Sequence, residues 1–425
     1  MSGVESKPVI IVGAGPTGLA LAARLGMDDV PCILLEAEPD LTVDLRAGSF
    51  HPPTIEMLTE LGIGETMHRE AIKVPVWQVR DRIAGVVAEF DLSLLSNDTP
   101  YPYRLHLEQH RLTPILLDRI RKDLSSVEIR FDEVVTEVAQ DDGGVTVKTA
   151  NGETLRGAFL VGCDGARSVV RAAMKVDFAG FTWPERFLVA STTFDLGEWG
   201  FAGAGYIADP DNWAAVFIVP DDGPPGLWRI AYGTDPAIPD EQVMAPASIQ
   251  ERLGTIMEHA GHDAEPFPLK YASTYRVHQR VATRFTEGRI LLAGDAAHLN
   301  NPLGGFGLNG SVHDAVNLGG KLVEIYLDGA PHEDLFDLYD RQRRPVNIRA
   351  VQSMSIRNKK LLEERDPDVR AAEQRRLREI AANPETARAY LLNSSMINSV
   401  REAAAVKSGA APMDVPLSMT KPAAK

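Results

Sequence analysis

Cysteines and basic residues are scarce in this chain, and each scarcity excludes a class of protein. The 425 residues include two cysteines, too few for a disulfide framework or a cysteine-rich zinc site. Because Cys32 and Cys163 lie in or at the end of apolar runs, we expect both to be small buried residues on strands. Lys and Arg number 44 against 59 Asp and Glu, a formal net charge of −15. That balance argues against nucleic acid as a partner, since phosphate binding needs a clustered basic surface.

Long apolar runs are also missing. None approaches the roughly 20 residues that span a bilayer, and the N-terminus has no basic stretch followed by an apolar core. We therefore expect a cytoplasmic protein with no membrane partner. With 44% hydrophobic residues, the chain is long enough to bury a large core, divided between two domains.

A βαβ unit is predicted at the start of the chain. Val9–Val12 is a short apolar run typical of a buried parallel strand. Leu19–Leu25 has apolar residues and alanines at helical spacing, and Cys32–Glu36 is the second predicted strand. Helical period recurs over Pro53–Leu61 and Leu112–Leu124.

Strands are predicted to dominate the middle of the chain. Ile129–Val138 and Val145–Thr149 alternate in polarity, with a hairpin turn between them at Asp141–Gly144. Over 181–272, aromatic and β-branched residues alternate between Pro- and Gly-rich turns, which predicts a mixed or antiparallel sheet. Helical spacing returns over 308–405.

The first of three motifs is the glycine turn between the first strand and the first helix. This context predicts a dinucleotide site. Gly13 permits the tight turn, Gly15 lets the backbone approach a pyrophosphate at the helix N-terminus, and Gly18 allows close helix–strand packing. Glu36 ends the second strand, where a carboxylate can bind ribose hydroxyls. The predicted cofactor-binding residues here are Gly13, Gly15, Pro16, Thr17, Gly18 and Glu36.

The second and third motifs follow apolar runs much later in the chain. Asp164-Gly165 precedes a helical stretch, and taken alone it is either a cofactor-facing turn or an ordinary Asp-Gly turn. Ile290–Ala293 is a predicted strand, and Gly294 and Asp295 follow directly after it. The Asp295 carboxylate can accept a hydrogen bond from a ribityl or ribose hydroxyl.

A loop with little side-chain bulk completes the third motif. It runs to Gly307, and Leu308-Asn309 is predicted to begin a helix whose N–H groups face the ligand. A ligand held at both ends by such distant segments is long. FAD therefore fits these motifs better than NAD does.

In this order and at these separations, the motifs resemble those of the single-component FAD-dependent aromatic hydroxylases, the group A flavoprotein monooxygenases that include para-hydroxybenzoate hydroxylase and phenol hydroxylase. The resemblance covers about Val9–Arg349 and extends to LHLEQHRLTPIL at Leu105–Leu116 and YRVHQR at Tyr275–Arg280. It implies an α/β fold: a discontinuous Rossmann-like FAD-binding domain, an inserted mixed or antiparallel substrate sheet, and C-terminal helices. The expected bounds are 1–75, 100–180 and 275–355 for the FAD-binding domain, 76–99 and 181–274 for the substrate domain, 356–406 for the C-terminal helices and 407–425 for a disordered tail.

The resemblance also implies an activity and roles for particular residues. Arg46 and Gln109 would lie at the FAD, Asp164 would serve both FAD and NAD(P)H, and Pro302 would face the substrate beside the flavin. The implied reaction uses FAD as cofactor, NADH or NADPH as co-substrate and O₂. It hydroxylates an electron-rich phenolic or aminoaromatic small molecule through a flavin C4a-hydroperoxide. A homodimer formed through the C-terminal helices is a further expectation from the family.

The resemblance predicts fewer of the residues that would activate the substrate. In the phenol-hydroxylase branch an aspartate that helps to deprotonate the phenol stands where this chain has Gly48. Tyr275 is shared with that branch, and it joins His51 as a candidate for proton transfer. Candidate substrate contacts lie in the strand-rich region and the flavin-adjacent loop, although ordinary core packing is the simpler interpretation of the aromatic ones. They are Tyr206, Trp213, Phe217, Trp228, Arg229 and Pro302.

Other functions stay open at this point. A ubiquinone-pathway or lipid-type flavin hydroxylase or epoxidase would share the motifs. A flavin halogenase expects a WxWxIP stretch, which the five tryptophans do not supply. A non-catalytic scaffold on the same fold would not need the complete glycine sets and both Asp turns.

Overall fold

The computed structural model describes residues 7–43, 48–258 and 266–407, which form twenty strands and thirteen α-helices. The strands are β1 (Val9–Val12), β2 (Cys32–Leu35), β3 (Ser49–Phe50), β4 (Ile72–Val74), β5 (Val76–Asp81), β6 (Gly85–Asp91), β7 (Arg104–His106), β8 (Val127–Arg130), β9 (Val135–Asp141), β10 (Gly144–Thr149), β11 (Thr154–Gly157), β12 (Phe159–Gly162), β13 (Phe178–Thr192), β14 (Ala204–Ala208), β15 (Ala214–Val219), β16 (Leu227–Thr234), β17 (Leu269–Ala282), β18 (Thr286–Glu287), β19 (Ile290–Leu292) and β20 (His298–Leu299). The helices are α1 (Pro16–Gly26), α2 (Pro52–Glu60), α3 (Gly64–Glu70), α4 (Gln109–Asp123), α5 (Val169–Met174), α6 (Asp240–Val243), α7 (Pro246–Met257), α8 (Phe306–Asp328), α9 (His332–Val346), α10 (Ser353–Leu362), α11 (Pro367–Ala382), α12 (Pro384–Ser394) and α13 (Ile397–Ala405).

The first large sheet has six strands in the order β18-β19-β12-β1-β2-β8, parallel except for the β18–β19 pair. All four residues of β1 are buried, as expected for a central parallel strand covered on both faces. Helix α1 begins with Pro16 at its first position, where the missing N–H costs nothing, and packs against α8 and α4. The predicted βαβ unit and the Rossmann-like class of this region are confirmed.

The second large sheet has eight strands in the order β20-β17-β13-β16-β15-β14-β5-β6. Only β14 and β5 pair in parallel, so the predicted mixed or antiparallel sheet is confirmed. Apolar residues of α7, α11 and α12, such as Leu253, Leu377 and Leu391, share a core with this sheet. The predicted domain bounds stay a prediction; β20 lies within 275–355 by sequence but pairs with this second sheet.

Two local predictions were wrong. The single strand predicted over Ile129–Val138 is divided between β8 and β9, which belong to different sheets, because Asp132 turns the chain at a φ of +59°. The helix predicted to begin at Leu308 begins at Phe306.

The buried cysteines are confirmed, and two predictions fall on residues outside the described ranges. Cys32 and Cys163 are buried and free. Among the described residues, no helix combines the length and the apolar character needed to cross a bilayer. Arg46 and, apart from Lys407, the predicted 407–425 tail lie outside the described residues.

Candidate active site

One cavity of about 660 Å³ lies between the carboxyl end of the six-stranded sheet and one face of the eight-stranded sheet. Residues of β14, β15, β16 and β17 in the second sheet line it. The predicted site residues that line it are Gly13, Gly15, Pro16, Thr17, Glu36, Gln109, Asp164, Tyr206, Phe217, Arg229, Tyr275, Asp295, Pro302, Gly307 and Leu308. The predicted residues placed elsewhere among the described residues are Gly18, His51, Trp213, Trp228, Gly294 and Asn309.

Two glycines of the turn lie against backbone carbonyl groups, and the third faces open space. Gly13 has a φ of +101°, and a Cβ there would lie 2.6 Å from the carbonyl oxygen of Cys163. A Cβ at Gly18 would lie 2.0 Å from the carbonyl oxygen of Gly13, so the helix can pack closely only with glycine. Nothing lies within 4 Å of a Cβ built at Gly15, which lines the cavity at the start of α1. An anionic group can therefore approach this backbone closely.

Two carboxylates beside the turn retain acceptor capacity toward the cavity. Glu36 Oε2 accepts a hydrogen bond of 2.6 Å from the Ala14 N–H. Asp164 Oδ2 accepts from the backbone N–H groups of Val169 and Val170 at 2.7 and 3.2 Å. Asp164 Oδ1 is buried and has no hydrogen-bond partner among the described residues. Burial raises the pKa of Asp164 above its ordinary value, and a ligand donor would satisfy the unpaired oxygen.

A buried charge network holds the turn of the third motif. Asp314 Oδ2 accepts hydrogen bonds from the Gly294 N–H at 3.1 Å and from His298 at 2.7 Å. Its Oδ1 accepts from Arg343 Nε at 2.7 Å. Burial alone would raise the pKa of Asp314, but the neighbouring charges and hydrogen bonds of Arg343 and His298 lower it to about 2. The ionised Asp314 thus fixes the turn that presents Asp295 to the cavity.

The start of α8 faces the same cavity. Gly304 and Gly305 adopt φ values of +113° and +70°, a region open to glycine, and the 23-residue helix begins immediately after them. This early turn is why the helix starts at Phe306. The first-turn residues Gly307 and Leu308 line the cavity, and the N–H groups of a first helical turn favour an anionic ligand.

His51 and Asn309 lie behind the loop and hold it in place. The backbone N–H of His51 donates to Asn309 Oδ1 at 2.8 Å. The His51 Nε2 is 2.8 Å from the carbonyl oxygen of Gly304. Asn309 Nδ2 donates to the carbonyl oxygens of Ser49 and Gly305. Burial, then the charge of Arg104, lowers the pKa of His51 well below its ordinary value. His51 as a proton-transfer residue and Asn309 as a cofactor residue stay predictions.

A second buried network holds the other end of the loop. Gln279 is fully buried, and its Oε1 accepts from the backbone N–H and the Nδ2 of Asn301 at 3.1 and 3.2 Å. Gln279 Nε2 donates to Gln352 Oε1 at 2.6 Å and to Ser355 Oγ at 3.0 Å. Gln352 belongs to the π-helical turn Asn347–Gln352 between α9 and α10. Pro302, exposed to the cavity, follows directly after this anchored Asn301.

The aromatic candidates separate into two groups. Tyr206 and Phe217 line the cavity. The Trp213 ring packs 5.1 Å from that of Phe187, and Trp228 Nε1 donates to Asp195 Oδ1 at 3.0 Å, so both tryptophans lie in the core of the second sheet. Their substrate-binding roles stay predictions.

Arg229 is buried in the cavity wall. It forms an ion pair with Glu108, whose carboxylate is also buried. This pairing compensates the guanidinium charge inside the protein.

Trp77, Arg104 and His106 are among the lining residues that sequence reasoning missed. Arg104 and His106 lie on β7 with Leu105 between them. Two polar residues in alternate positions of a short strand face the same side. That spacing was the available signal.

Comparison with known proteins agrees with this geometry. Residues 6–354 match the family model described as an FAD binding domain. The chain is 35% identical to the para-nitrophenol 4-monooxygenase of Pseudomonas sp. (strain WBC-3), over 92% of this chain and 96% of that protein. It is 32% identical to the 6-hydroxy-3-succinoylpyridine 3-monooxygenase HspB of Pseudomonas putida (strain DSM 28022 / S16), over 84% and 90% of the two chains.

A solved structure gives the same result at the level of the fold. The p-nitrophenol 4-monooxygenase PnpA of Pseudomonas putida DLL-E4 matches with a TM-score of 0.86 and 33% identity, covering 93% of this chain and 98% of that one. The chain belongs to the FAD-binding family of single-component aromatic hydroxylases. It is an FAD-dependent monooxygenase that uses NAD(P)H and O₂ to hydroxylate aromatic small molecules.

Proposed function

We propose that this monooxygenase hydroxylates a single-ring phenol. In this proposal FAD lies along the motif side of the cavity, and the phenol lies between the Pro302–Gly305 loop and the eight-stranded sheet. The observation that carries the proposal is the continuity of the cavity, which extends from the glycine turn at Gly15 to Tyr206 and Phe217 on the second sheet. The two relatives named for a nitrophenol and a hydroxylated pyridine support a substrate of one ring.

The chain offers suitable groups for each part of FAD. Gly15 and the N-terminus of α1 would bind the pyrophosphate, and Glu36 would bind ribose hydroxyls. Asp295 would accept from a ribityl hydroxyl, and the unpaired Asp164 oxygen would accept from a ligand donor. The N–H groups at Gly307–Leu308 would stabilise negative charge on the reduced ring. When bound, FAD supplies the redox chemistry that carries electrons from NAD(P)H to O₂ and oxygen to the substrate.

The remaining walls orient the phenol and exclude water. Tyr206, Phe217, Tyr275 and Pro302 would surround the ring, and a dry site protects the reactive oxygen species from side reactions. A lipid-type substrate is disfavoured because the same cavity contains the buried charge of Arg104, which an aliphatic chain would leave without a partner.

The test begins with the purified protein and its flavin. We expect a yellow protein that retains FAD and oxidises NADH or NADPH slowly alone and at least about tenfold faster with a suitable phenol, a gain of about 1.4 kcal/mol. A panel of para-substituted phenols, bicyclic phenols and aminobenzoates should identify the preferred ring, with hydroxylated products verified by mass. Absence of bound flavin, or phenol-independent NAD(P)H oxidation across the panel, would overturn the proposal.

A further inference from the structure

Two side chains of β7 face the cavity, and each has a buried nitrogen, Arg104 Nε or His106 Nε2, that has no hydrogen-bond partner among the described residues. Arg104 and His106 are separated by one residue on the strand, so their side chains lie on the same face. Both line the cavity, and both are buried, with relative exposures of 4% and 0%. Their functional groups are therefore directed to one region of the site.

Arg104 carries a buried charge that has no counter-ion among the described residues. It forms no ion pair and its guanidinium donates no hydrogen bond to any other described residue, and its Nε is buried and unsatisfied. The guanidinium lies over the Trp77 ring, with its carbon 4.5 Å from the ring centroid. Burial lowers the pKa of Arg104 to about 10, so the group stays charged at neutral pH. Arg229, in the same cavity, has Glu108 as a counter-ion.

His106 presents a free acceptor beside this charge. Its Nδ1 lies 2.7 Å from the carbonyl oxygen of Ile218, which can only accept, so Nδ1 carries the proton. The lone pair is then on Nε2, which is buried and has no partner among the described residues. Burial, then the charge of Arg104, lowers the pKa of His106 to about 4, although the Ile218 hydrogen bond opposes this. The ring is neutral at physiological pH.

The two groups together match one functional group. The guanidinium only donates and the Nε2 of this tautomer only accepts. A carboxylate or a nitro group would leave Nε2 unsatisfied, and an ether oxygen could not donate to it. A hydroxyl oxygen can accept from Arg104 while its hydrogen is donated to His106.

We propose that Arg104 and His106 form the subsite for the hydroxyl of the phenol, whose oxygen accepts from Arg104 and whose hydrogen is donated to His106 Nε2. The inference rests on the proposed function. When the bound phenol ionises, its O–H bond breaks and the proton is released to water. The electron pair stays on the phenolate oxygen, opposite Arg104, where it raises the electron density of the ring for hydroxylation.

The other ionisable groups that act on this pair are neutral near pH 7. Burial raises the pKa of Tyr206 and of Tyr390 well above neutrality, and burial lowers that of His51. Of these groups, Arg104 therefore carries the charge that the phenolate meets. The Arg229–Glu108 pair in the same wall adds no net charge.

para-Nitrophenol is a suitable probe because its phenolate is coloured and its phenol form is not. The FAD-loaded protein is titrated with it in the absence of NAD(P)H at several pH values, so that the absorbance reports the ionisation of the bound ligand. We expect the bound ligand to ionise at lower pH than free para-nitrophenol. Arg104→Gln should abolish that shift and weaken phenolate binding at least about tenfold, the loss expected for a charge-assisted hydrogen bond. Arg104→Lys should retain part of the shift.

His106→Phe tests the acceptor separately. With this variant, assayed at mildly alkaline pH, kcat/KM should fall at least about tenfold further for 4-methylphenol, which is un-ionised there, than for para-nitrophenol, which is largely ionised there. In addition, 4-nitroanisole should bind the native protein less tightly than para-nitrophenol at acidic pH, and His106→Phe should remove that difference. The matched control is Arg388→Gln, which removes an exposed ion pair with Asp98 and should change neither readout.

The outcomes distinguish this inference from the proposed function. If phenols stimulate the native enzyme but neither variant moves the ionisation of bound para-nitrophenol or the ratio between the two phenols, the subsite is wrong. If the native enzyme ignores phenols, the proposed function itself fails. Flavin content and circular dichroism establish that each variant is folded. If Arg104→Gln does not fold, Arg104→Lys still tests the role of the guanidinium.

Discussion

Gly294 lies directly against Thr17, and this contact joins the third motif to the first. A Cβ at Gly294 would be 2.4 Å from Thr17 Oγ1 and 3.0 Å from Ser311 Oγ. Gly294 also adopts a φ of +62°, where glycine is favoured. The turn that carries Asp295 thus packs directly against the first turn of α1. The relative position of the first and third motifs depends on this close contact.

Gly294→Ala should separate these two segments. The added methyl group meets Thr17 and is strained at positive φ, which together should cost about 2–4 kcal/mol. We expect a lower ratio of FAD to protein after purification and a lower unfolding temperature, measured by absorbance and by thermal melting. Gly320→Ala on α8 is the control, since a Cβ there meets nothing within 4 Å and should be neutral or stabilising. Equal flavin content in both variants would contradict the prediction.

The buried carboxylate Asp314 should be essential for the same turn. Asp314→Asn leaves Arg343 buried without its counter-ion, which should destabilise the protein by about 3–5 kcal/mol. Asp337→Asn removes an exposed partner of Arg341 one helical turn away and should cost no more than about 0.5 kcal/mol. Urea denaturation of the two variants compares them directly. A similar small loss for both would show that the Asp314 network contributes little.

The sequence was sufficient for the features that depend on local pattern. The glycine turn, β1 and the strand before Gly294 were predicted because apolar runs and glycine spacing are local signals. The split between β8 and β9 was missed because the positive φ of Asp132 interrupts a continuous alternating pattern. The start of α8 was misplaced because Gly304 and Gly305 allow the chain to turn into the helix two residues early.

The site was only partly predictable because burial and pairing are properties of the folded chain. Sequence reasoning could name Arg229 as a candidate substrate contact, but the structure pairs it with Glu108. Sequence reasoning did not single out Arg104. Its lack of a counter-ion among the described residues depends on which side chains the fold places around it. Likewise, the free Nε2 of His106 follows from a hydrogen bond to Ile218, far away in the sequence.

Acidification should destabilise the protein through its buried neutral histidines. Burial lowers the pKa of His106 to about 4, and burial together with Arg343 lowers that of His313 to about 3, against 6.5 when unfolded. The unfolded state therefore binds more protons, so this stability is present above pH 6.5 and is lost as the pH falls toward 4. The loss should be about 1.4 kcal/mol per pH unit for each histidine.

His106→Phe provides the check on that assignment. Phenylalanine cannot be protonated, so the variant should show a shallower fall in unfolding free energy between pH 6.5 and 4.5 than the native protein. The measurement is urea denaturation across that range. An unchanged slope would mean that His106 is not a source of the acid sensitivity.

The Gln279 network should control how well NAD(P)H oxidation is coupled to hydroxylation. Gln279→Leu leaves the polar groups of Asn301 and Gln352 without their partner and should loosen the loop that carries Pro302. A looser loop admits water to the cavity, so we expect hydrogen peroxide release to rise at the expense of hydroxylated product, while FAD content stays high. The measurement is the ratio of product to NAD(P)H consumed. Gln374→Leu removes a hydrogen bond from α11 to Asp81 at the end of β5, and it should leave that ratio unchanged. A Gln279→Leu enzyme with native coupling would show that the loop is held by the backbone around Gly304 and Gly305 and not by this amide.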